Sequence, residues 1–209
     1  MPLTNIIYLD SERRIGCWEI TESSEELSKS LTVDDELKER IKNCHERRVK
    51  ELFATRVLLK RLMGNSEETI VYDENRKPSL KYGSEKISIS HSKDRVVILI
   101  SKIVEVGIDV EYVVEKILRI KEKFLTGREL EFAGEDLVKG TIYWCAKESL
   151  YKFYGERGLD FRKNLILNDF EVQRKGRFEA KIVKEQFYKS MSINYFVFDK
   201  FVMTFCCGN

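Results

Sequence analysis

Two acidic residues stand two positions apart in the segment GIDVE at residues 107–111. In a β-strand, alternate residues point to the same side, so Asp109 and Glu111 would form a carboxylate pair while Ile108 and Val110 face the other side. Two anionic oxygen donors on a rigid strand suit Mg2+, which commonly takes one or two protein carboxylates and completes its octahedron with water and substrate phosphates. The alternative is an exposed polar face on an edge strand.

Three further residues, Trp144, Glu148 and Lys152, recur at four-residue spacing in a segment with helical periodicity. Residues four apart lie on one face of a helix, so these side chains would form a single stripe. On that stripe Glu148 could complete a metal site or accept a proton, and Lys152 could neutralise a phosphate. The alternative is an ordinary surface pair of Glu148 with Lys152, worth about 0.2–0.5 kcal/mol. Trp144 is unusual on a merely solvated face.

A candidate phosphate-binding segment, Ser90-His91-Ser92, follows the alternating strand pattern of residues 86–90. A loop of this composition can hold a phosphate through its backbone N–H groups and the imidazole of His91. The alternative for His91 is an ordinary solvated loop.

Three cations earlier in the chain could also contact an anion. Arg56 lies on an apolar helical stripe, where a guanidinium either snorkels to solvent or reaches an anion in a cleft. Arg48 falls on nearly the same helical face, whereas Arg47 falls nearly opposite. Lys77 belongs to an Arg-Lys-Pro turn, which would be a solvated surface turn unless it faces the same cleft.

The secondary structure that must position these residues changes character along the chain. Helical patterns run from a capping box at residues 23 and 26 to Gly64, with the clearest helix at residues 46–63. Strand patterns follow. Helices then return with a second capping box at residues 126 and 129 and a long helix at residues 140–154, and strands that include residues 169–175 close the chain. This order indicates an α+β protein with two similar subdomains, residues 1–103 and 104–209, in one compact pseudo-dimeric unit.

Composition argues against several classes of protein. The chain has 209 residues and a formal net charge of +2, which speaks against a nucleic-acid-binding protein. Its longest uncharged stretches run nine residues, short of the roughly 20 apolar residues that span a bilayer. We therefore expect no membrane association and, since the start of the chain lacks a signal-peptide pattern, a cytoplasmic protein. Five cysteines without a C-x-x-C pair favour small buried thiols over a zinc site.

Four motifs, taken in order, resemble the 4′-phosphopantetheinyl transferase superfamily. They are RKP at 76–78, SISHS at 88–92, GIDVE at 107–111 and WxxKESxxK at 144–152. The resemblance is to the longer, monomeric branch that activates synthetases such as that for surfactin, and it covers about residues 46–160. Ser149 stands where many members have Ala.

The resemblance implies an enzyme that moves the 4′-phosphopantetheine arm of coenzyme A to a serine of an acyl or peptidyl carrier protein and releases adenosine 3′,5′-bisphosphate. Such holo-[carrier protein] synthases act in fatty acid, polyketide or nonribosomal peptide biosynthesis. It also implies Mg2+ as cofactor, a monomer, and two subdomains related by pseudo-twofold symmetry with the active site at their interface.

The resemblance further implies residue roles. Asp109, Glu111 and Glu148 would hold the metal, while Glu148 and Lys152 would be catalytic. Glu148 would take the serine proton directly or through a metal-bound water, and Lys152 would contact phosphate. The residues implied to bind coenzyme A are Arg48, Arg56, Lys77, Ser90, His91, Asp109 and Lys152.

Two other functions would use the same residues. A Mg2+-dependent nucleotide phosphohydrolase would employ the same carboxylates with water as the nucleophile. A non-catalytic module would bind coenzyme A or a carrier protein without transfer. The complete set of Asp109, Glu111, Glu148 and Lys152 argues against the second alternative, because a protein that only binds has no need of a base.

Overall fold

The computed structural model describes residues 3–66 and 68–208. It combines helices with antiparallel sheets, which confirms the predicted α+β class. The strands are β1 (Leu3–Tyr8), β2 (Arg13–Glu19), β3 (Ile70–Tyr72), β4 (Pro78–Leu80), β5 (Lys86–Ser92), β6 (Arg95–Ser101), β7 (Val106–Tyr112), β8 (Leu165–Leu167), β9 (Lys175–Lys184), β10 (Phe187–Val197) and β11 (Phe201–Cys207). The helices are α1 (Ser24–Ser28), α2 (Asp35–Ile41), α3 (Glu46–Leu62), α4 (Lys116–Ile120), α5 (Gly127–Ala133) and α6 (Leu137–Tyr154), with a 3-10 turn at Lys121–Lys123.

The chain forms two compact units by its internal contacts. The first comprises Met1–Val71 and Pro78–Ile103, and the second comprises Tyr72–Lys77 and Val104–Asn209. The sequence prediction placed all of residues 1–103 in the first subdomain, whereas the structure groups Tyr72–Lys77 with the second unit. The pseudo-twofold relation between the two halves stays a prediction.

The first unit is a four-stranded antiparallel sheet in the order β1-β2-β6-β5, with helix α3 packed against β2 and β6. Strand β6 has the nearly continuous apolar sequence RVVILIS, and its residues 96–100 are fully buried. Gly16 on β2 allows the close approach of α3, since a Cβ there would lie 2.7 Å from a methyl carbon of Leu58. The sheet and α3 therefore form one apolar core.

The second unit is a five-stranded antiparallel sheet in the order β7-β11-β10-β9-β8. Helix α6 packs on the neighbouring strands β7 and β11. The predicted turn at Asp199-Lys200 joins β10 to β11, and the N–H of Phe198 donates to the carbonyl of Phe201 at 2.9 Å. Strand β7 is one of the two edge strands of this sheet, and α6 packs on it.

Local sequence signals set the helix ends as predicted. Both capping boxes form, the first between Ser23 and Glu26 and the second between Thr126 and Glu129. Helix α6 ends at Gly155, whose φ of 76° is left-handed. It begins at Leu137, earlier than the predicted residue 140, because the carboxylate of Asp136 accepts hydrogen bonds from the first backbone N–H groups.

The predicted strand at residues 169–175 is wrong, because only Lys175 lies in a strand, β9. A distant side chain satisfies the backbone of this segment. The hydroxyl of Tyr195 donates to the carbonyl of Glu171 at 3.0 Å and accepts from the N–H of Gln173 at 3.1 Å. The segment is therefore hydrogen-bonded without becoming a strand.

A buried ion pair joins α6 to the loops around it. The Nζ of Lys147, whose side chain is fully buried, donates to Glu129 Oε2 at 2.7 Å and to the carbonyls of Phe124 and Phe161 at 2.8 and 2.9 Å. Glu129 also accepts from the backbone N–H groups of Thr126 and Leu167. Because an ammonium has three protons, these three acceptors satisfy it completely.

Two smaller features concern helix length and the cysteines. No helix within the described ranges is long and apolar enough to cross a bilayer. All five cysteines are free thiols, and Cys17, Cys145 and Cys206 are buried. They pack as small apolar side chains.

We predict that Lys147→Met strongly destabilises the protein, because the Glu129 carboxylate then stays buried without its counter-charge. The free energy of unfolding, measured by urea denaturation, should fall by about 3–5 kcal/mol. The matched control is Lys38→Met, since Lys38 pairs with Asp35 on an exposed helix face; it should cost far less, because solvent screens an exposed ion pair. Equal losses in the two variants would contradict the structural role of Lys147.

Candidate active site

Helix α6 comes very close to the backbone of strand β7 at Gly107. A Cβ at this position would lie 2.0 Å from the carbonyl oxygen of Ser149 and 2.9 Å from the backbone nitrogen of Phe153. Beside this contact, the hydroxyl of Ser149 bonds the hydroxyl of Thr204 at 2.7 Å and donates to its carbonyl at 2.9 Å. Thr204 is the β11 register partner of Asp109. The helix backbone is therefore fixed directly beside the acidic pair of β7.

Asp109 is buried, with a relative exposure of 3%, although it lies on an edge strand of the sheet. The Nζ of Lys152 on α6 donates to Asp109 Oδ1 at 2.7 Å. The side chain of Lys152 is one quarter exposed, so this is a charge pair at the margin of the core. The alternative of a solvated polar strand face does not hold for Asp109.

Glu111 is half-buried and meets the other end of the helical stripe. The indole N–H of Trp144 donates to Glu111 Oε1 at 3.1 Å. Trp144 precedes Lys152 by two helical turns, and Glu111 follows Asp109 on the strand. Helix and strand therefore run antiparallel here, with one helix–strand contact at each end of the site.

Glu148 lies between these two contacts on the stripe. Burial above all, and then the charges of Asp109 and Glu111, raise the pKa of Glu148 from its ordinary 4.5 to about 7, while Lys152 opposes the rise. No hydrogen bond from the described residues contributes to this pKa. Glu148 is therefore a half-buried carboxyl that is poised to change its protonation state near neutral pH, which an ordinary surface pair with Lys152 would not be.

The three carboxylates were predicted to hold Mg2+. Within the described ranges, no three His, Cys, Asp or Glu side chains already stand close enough to form a metal site by themselves. One oxygen of Asp109 faces Lys152 and one of Glu111 faces Trp144. The donor set nevertheless fits Mg2+, because all three groups are carboxylates and the repulsion that Glu148 experiences is what a divalent cation would relieve.

In the first unit the structure brings Arg48 and His91 together. Arg48 NH1 lies 2.7 Å from His91 Nε2, so the ring accepts this bond through that nitrogen, because a guanidinium only donates. Glu51, which is 8% exposed, accepts from Arg48 at 3.0 Å and from Arg47 at 3.2 Å. Glu51, which follows Arg47 by four residues and Arg48 by three, therefore contacts both guanidinium groups.

His91 was expected in a loop, and this is wrong. Strand β5 continues to Ser92, and the turn follows at Lys93, whose φ is 52°. Ser90 and Arg56 are both buried in the same unit, and NH1 of Arg56 donates to the carbonyl of Leu52 in its own helix at 3.4 Å. The imidazole of His91 is therefore held on a strand and not by a mobile loop backbone.

Lys77 belongs to the second unit. The Arg-Lys-Pro segment forms a turn in which Arg76 has a φ of 66°. The Nζ of Lys77 lies 2.8 Å from Glu105 Oε2 and sits over Gly155, where an added Cβ would meet it at 2.7 Å. The structure therefore places this ammonium at the C-terminal end of α6, where a positive charge interacts favourably with the helix dipole.

Sequence reasoning missed Glu51, Glu129 and Lys147. Glu51 has a local signal, because it stands three and four residues after two arginines on a helix. Glu129 was recognised only as part of a capping box, and its partner Lys147 lies 18 residues away. Nothing in the local pattern distinguishes that lysine from a solvated one.

Residues 105–206 match the model of the 4′-phosphopantetheinyl transferase superfamily. This segment, slightly less than half of the chain, is similar to that superfamily. The matching segment includes Asp109, Glu111, Glu148 and Lys152. The match supports phosphopantetheine transfer as the general activity. In that superfamily, coenzyme A and carrier proteins are the usual substrates and Mg2+ is the usual metal. The motif residues before residue 105, and the monomeric subtype, stay predictions. No curated protein matches the chain.

We predict that Gly107→Ala displaces α6 from β7, because the added methyl group would overlap the helix backbone, which cannot rotate away as a side chain can. The free energy of unfolding should fall by about 1–3 kcal/mol or more. Gly127→Ala is the control, since no atom lies within 4 Å of the Cβ it adds on α5; it should be neutral or stabilise by about 0.4–1 kcal/mol. If both variants unfold at the wild-type urea concentration, the close approach does not constrain the helix.

We also predict a pH-dependent effect of Glu148→Gln on stability. The raised pKa of Glu148 means that the folded state binds its proton more tightly than the unfolded chain, so wild-type stability falls as pH rises from 4.5 to about 7. The Gln variant lacks this loss. It should match the wild type below pH 4.5 and exceed it above pH 7 by up to roughly 3 kcal/mol. Urea midpoints across this range test the prediction, with Glu131→Gln on α5 as an exposed control that should show no such trend.

Proposed function

We propose that this protein transfers the 4′-phosphopantetheine arm of coenzyme A to a serine of an acyl or peptidyl carrier protein. The observation that carries the proposal is the position of Glu148, between the Asp109–Lys152 and Glu111–Trp144 contacts, with its pKa raised to about 7. All five residues fall within the segment that matches the superfamily. The product besides the modified carrier is adenosine 3′,5′-bisphosphate.

The reaction exchanges one bond at phosphorus. The serine oxygen forms a bond to the phosphorus that carries pantetheine, and the bond from that phosphorus to the departing adenosine 3′,5′-bisphosphate breaks. The serine proton passes to Glu148. A base whose pKa lies near the working pH combines a useful deprotonated fraction with sufficient proton affinity, so Glu148 suits this role near neutral pH.

Charge on the phosphates is the second requirement. Lys152 holds a fixed positive charge on the same helical face as Glu148, and its contact with Asp109 keeps the ammonium oriented. Asp109, Glu111 and Glu148 would hold Mg2+, which would supply positive charge against the pyrophosphate oxygens. Without that cation, three carboxylates would repel a polyanionic substrate.

The remaining contacts are assigned to the adenosine end of coenzyme A. Arg48 and His91 support this assignment because they already form one cluster, in which a guanidinium and an imidazole lie within hydrogen-bond distance. Arginine recognises phosphate through several N–H groups in a fixed fork, which suits a terminal 3′-phosphate. Arg56, Ser90 and Lys77 are assigned to the same end of the coenzyme as further polar contacts.

The function is tested by incubating the protein with coenzyme A and Mg2+, with and without an apo carrier protein, and weighing the carrier by mass spectrometry. A carrier heavier by one phosphopantetheine group supports the proposal. Release of adenosine 3′,5′-bisphosphate without any carrier would instead indicate a phosphohydrolase. Binding of coenzyme A without release in either arm would indicate a binding module.

We predict that Glu148→Gln and Lys152→Met fail differently. Loss of the base should lower kcat by about 10²- to 10⁴-fold with coenzyme A affinity much less affected, whereas loss of the ammonium should weaken coenzyme A binding together with any loss of rate. Initial rates at varied coenzyme A separate the two effects, and Glu131→Gln serves as the control.

A further arm of the rate assay tests whether Glu148 binds the metal. Recovery of the Glu148→Gln rate at high Mg2+ would assign this residue to metal binding and not to proton transfer. Wild-type rates and affinities in both variants would contradict the catalytic assignment of the helical stripe.

A further inference from the structure

We propose that Trp144 is a positioning residue for Glu111 and sets the orientation in which this carboxylate meets Mg2+. The inference rests on the proposed function, because it takes Glu111 as a metal ligand. Transfer itself gives Trp144 no task, yet the side chain lies on the same helical stripe as Glu148 and Lys152.

The contact between Trp144 and Glu111 has the chemistry of a supporting bond around a metal ligand. The indole N–H donates to Glu111 Oε1 at 3.1 Å. Ligating carboxylates are commonly oriented by such hydrogen bonds, and loss of one typically costs 10- to 100-fold in metal affinity. The indole is also neutral and only donates, so it orients the carboxylate without repelling the cation. The ammonium of Lys152 on Asp109 lacks that property.

The indole is itself held by aromatic rings. The ring of Phe124 meets Trp144 edge-on at 4.9 Å between centroids, and the ring of Phe161 lies at 5.7 Å. Phe161 in turn packs against Tyr151 at 5.5 Å. A donor enclosed in this way keeps one direction, because rotating the indole away from Glu111 would break these contacts.

The backbone behind those rings is fixed by the buried ion pair. The carbonyls of Phe124 and Phe161, the two residues whose rings flank the indole, both accept hydrogen bonds from Lys147 Nζ. A continuous set of contacts therefore runs from Lys147 through the two phenylalanines and Trp144 to Glu111. Packing of an apolar core would not require these contacts to end on a carboxylate, yet here they end on an oxygen of Glu111, a candidate metal ligand.

The chain offers a matched control. Trp18, the other of its two tryptophans, also donates its indole N–H to a carboxylate, that of Glu22 at 3.4 Å, and it lies in the first unit. Trp144→Phe and Trp18→Phe therefore remove the same chemical group from comparable bonds. Only the first bond involves a candidate metal ligand.

The experiment measures binding of Mn2+, which accepts the octahedral oxygen ligands that Mg2+ uses. Electron paramagnetic resonance counts the free aqua ion in titrations of the wild-type protein, Asp109→Asn, Trp144→Phe and Trp18→Phe, with Mg2+ as competitor. We expect Trp144→Phe to weaken Mn2+ binding by about 10- to 100-fold, and Trp18→Phe to remain within about 2-fold of the wild type. Circular dichroism and urea midpoints establish that each variant is folded.

The outcomes separate the two proposals. If Asp109→Asn loses Mn2+ while Trp144→Phe keeps wild-type affinity, the positioning role is overturned and the proposed function stands. If the wild type binds no Mn2+, or Asp109→Asn binds it as tightly as the wild type, the metal assignment fails and the positioning role falls with it.

A second measurement covers the case in which Trp144→Phe does not fold. In the single-tryptophan variant Trp18→Phe, emission comes from Trp144 alone. Titration with Mg2+ should change that emission saturably, at the concentrations at which Mg2+ displaces Mn2+, because the cation alters the field at the indole N–H. Unchanged emission in a protein that binds the metal would overturn the proposal.

Discussion

Helix α6 can lie directly on strand β7 because residue 107 has no side chain. A Cβ there would stand 2.0 Å from the carbonyl oxygen of Ser149, closer than any tolerated contact. This approach sets the height of the helix above the strand, and the bonds of Ser149 to Thr204 fix its position along the sheet. With both fixed, the helical spacing brings one side chain per turn over the strand. The candidate active site is therefore a consequence of how closely two backbones meet.

A second constraint on α6 comes from the buried side chain of Lys147. Burying an ammonium is costly, and it is tolerated here because three acceptors surround it, one of them a carboxylate that is itself bonded to backbone N–H groups. Those acceptors come from the segments around Phe124, α5 and Phe161, so one residue of α6 holds three separate parts of the chain. Gly107 determines how closely α6 lies on β7. Lys147 determines which segments of the chain pack around the rest of the helix.

The sequence predicted what depends on neighbours in the chain and missed what depends on distant partners. The capping boxes formed, and Gly155 ended α6, because each signal acts within three or four residues. The stripe of Trp144, Glu148 and Lys152 followed from helical spacing alone. Residues 169–175 had strand composition but are bonded by Tyr195, at least 20 residues away. His91 was predicted to lie in a loop because the composition of the segment does not show where the strand ends. In the structure, pairing with β6 extends β5 through His91 to Ser92.

The charges at the site show why its carboxylates cannot be explained by stability alone. Asp109 is offset by Lys152 and Glu111 by the indole of Trp144, but Glu148 is left half-buried between two other anions. A side chain selected only for stability would be neutral here, since a carboxylate loses solvation and meets repulsion as soon as it ionises. The same placement is useful where a proton must be taken up and a divalent cation held. The unfavourable position of Glu148 is thus the strongest physical reason to regard this helix–strand contact as an active site.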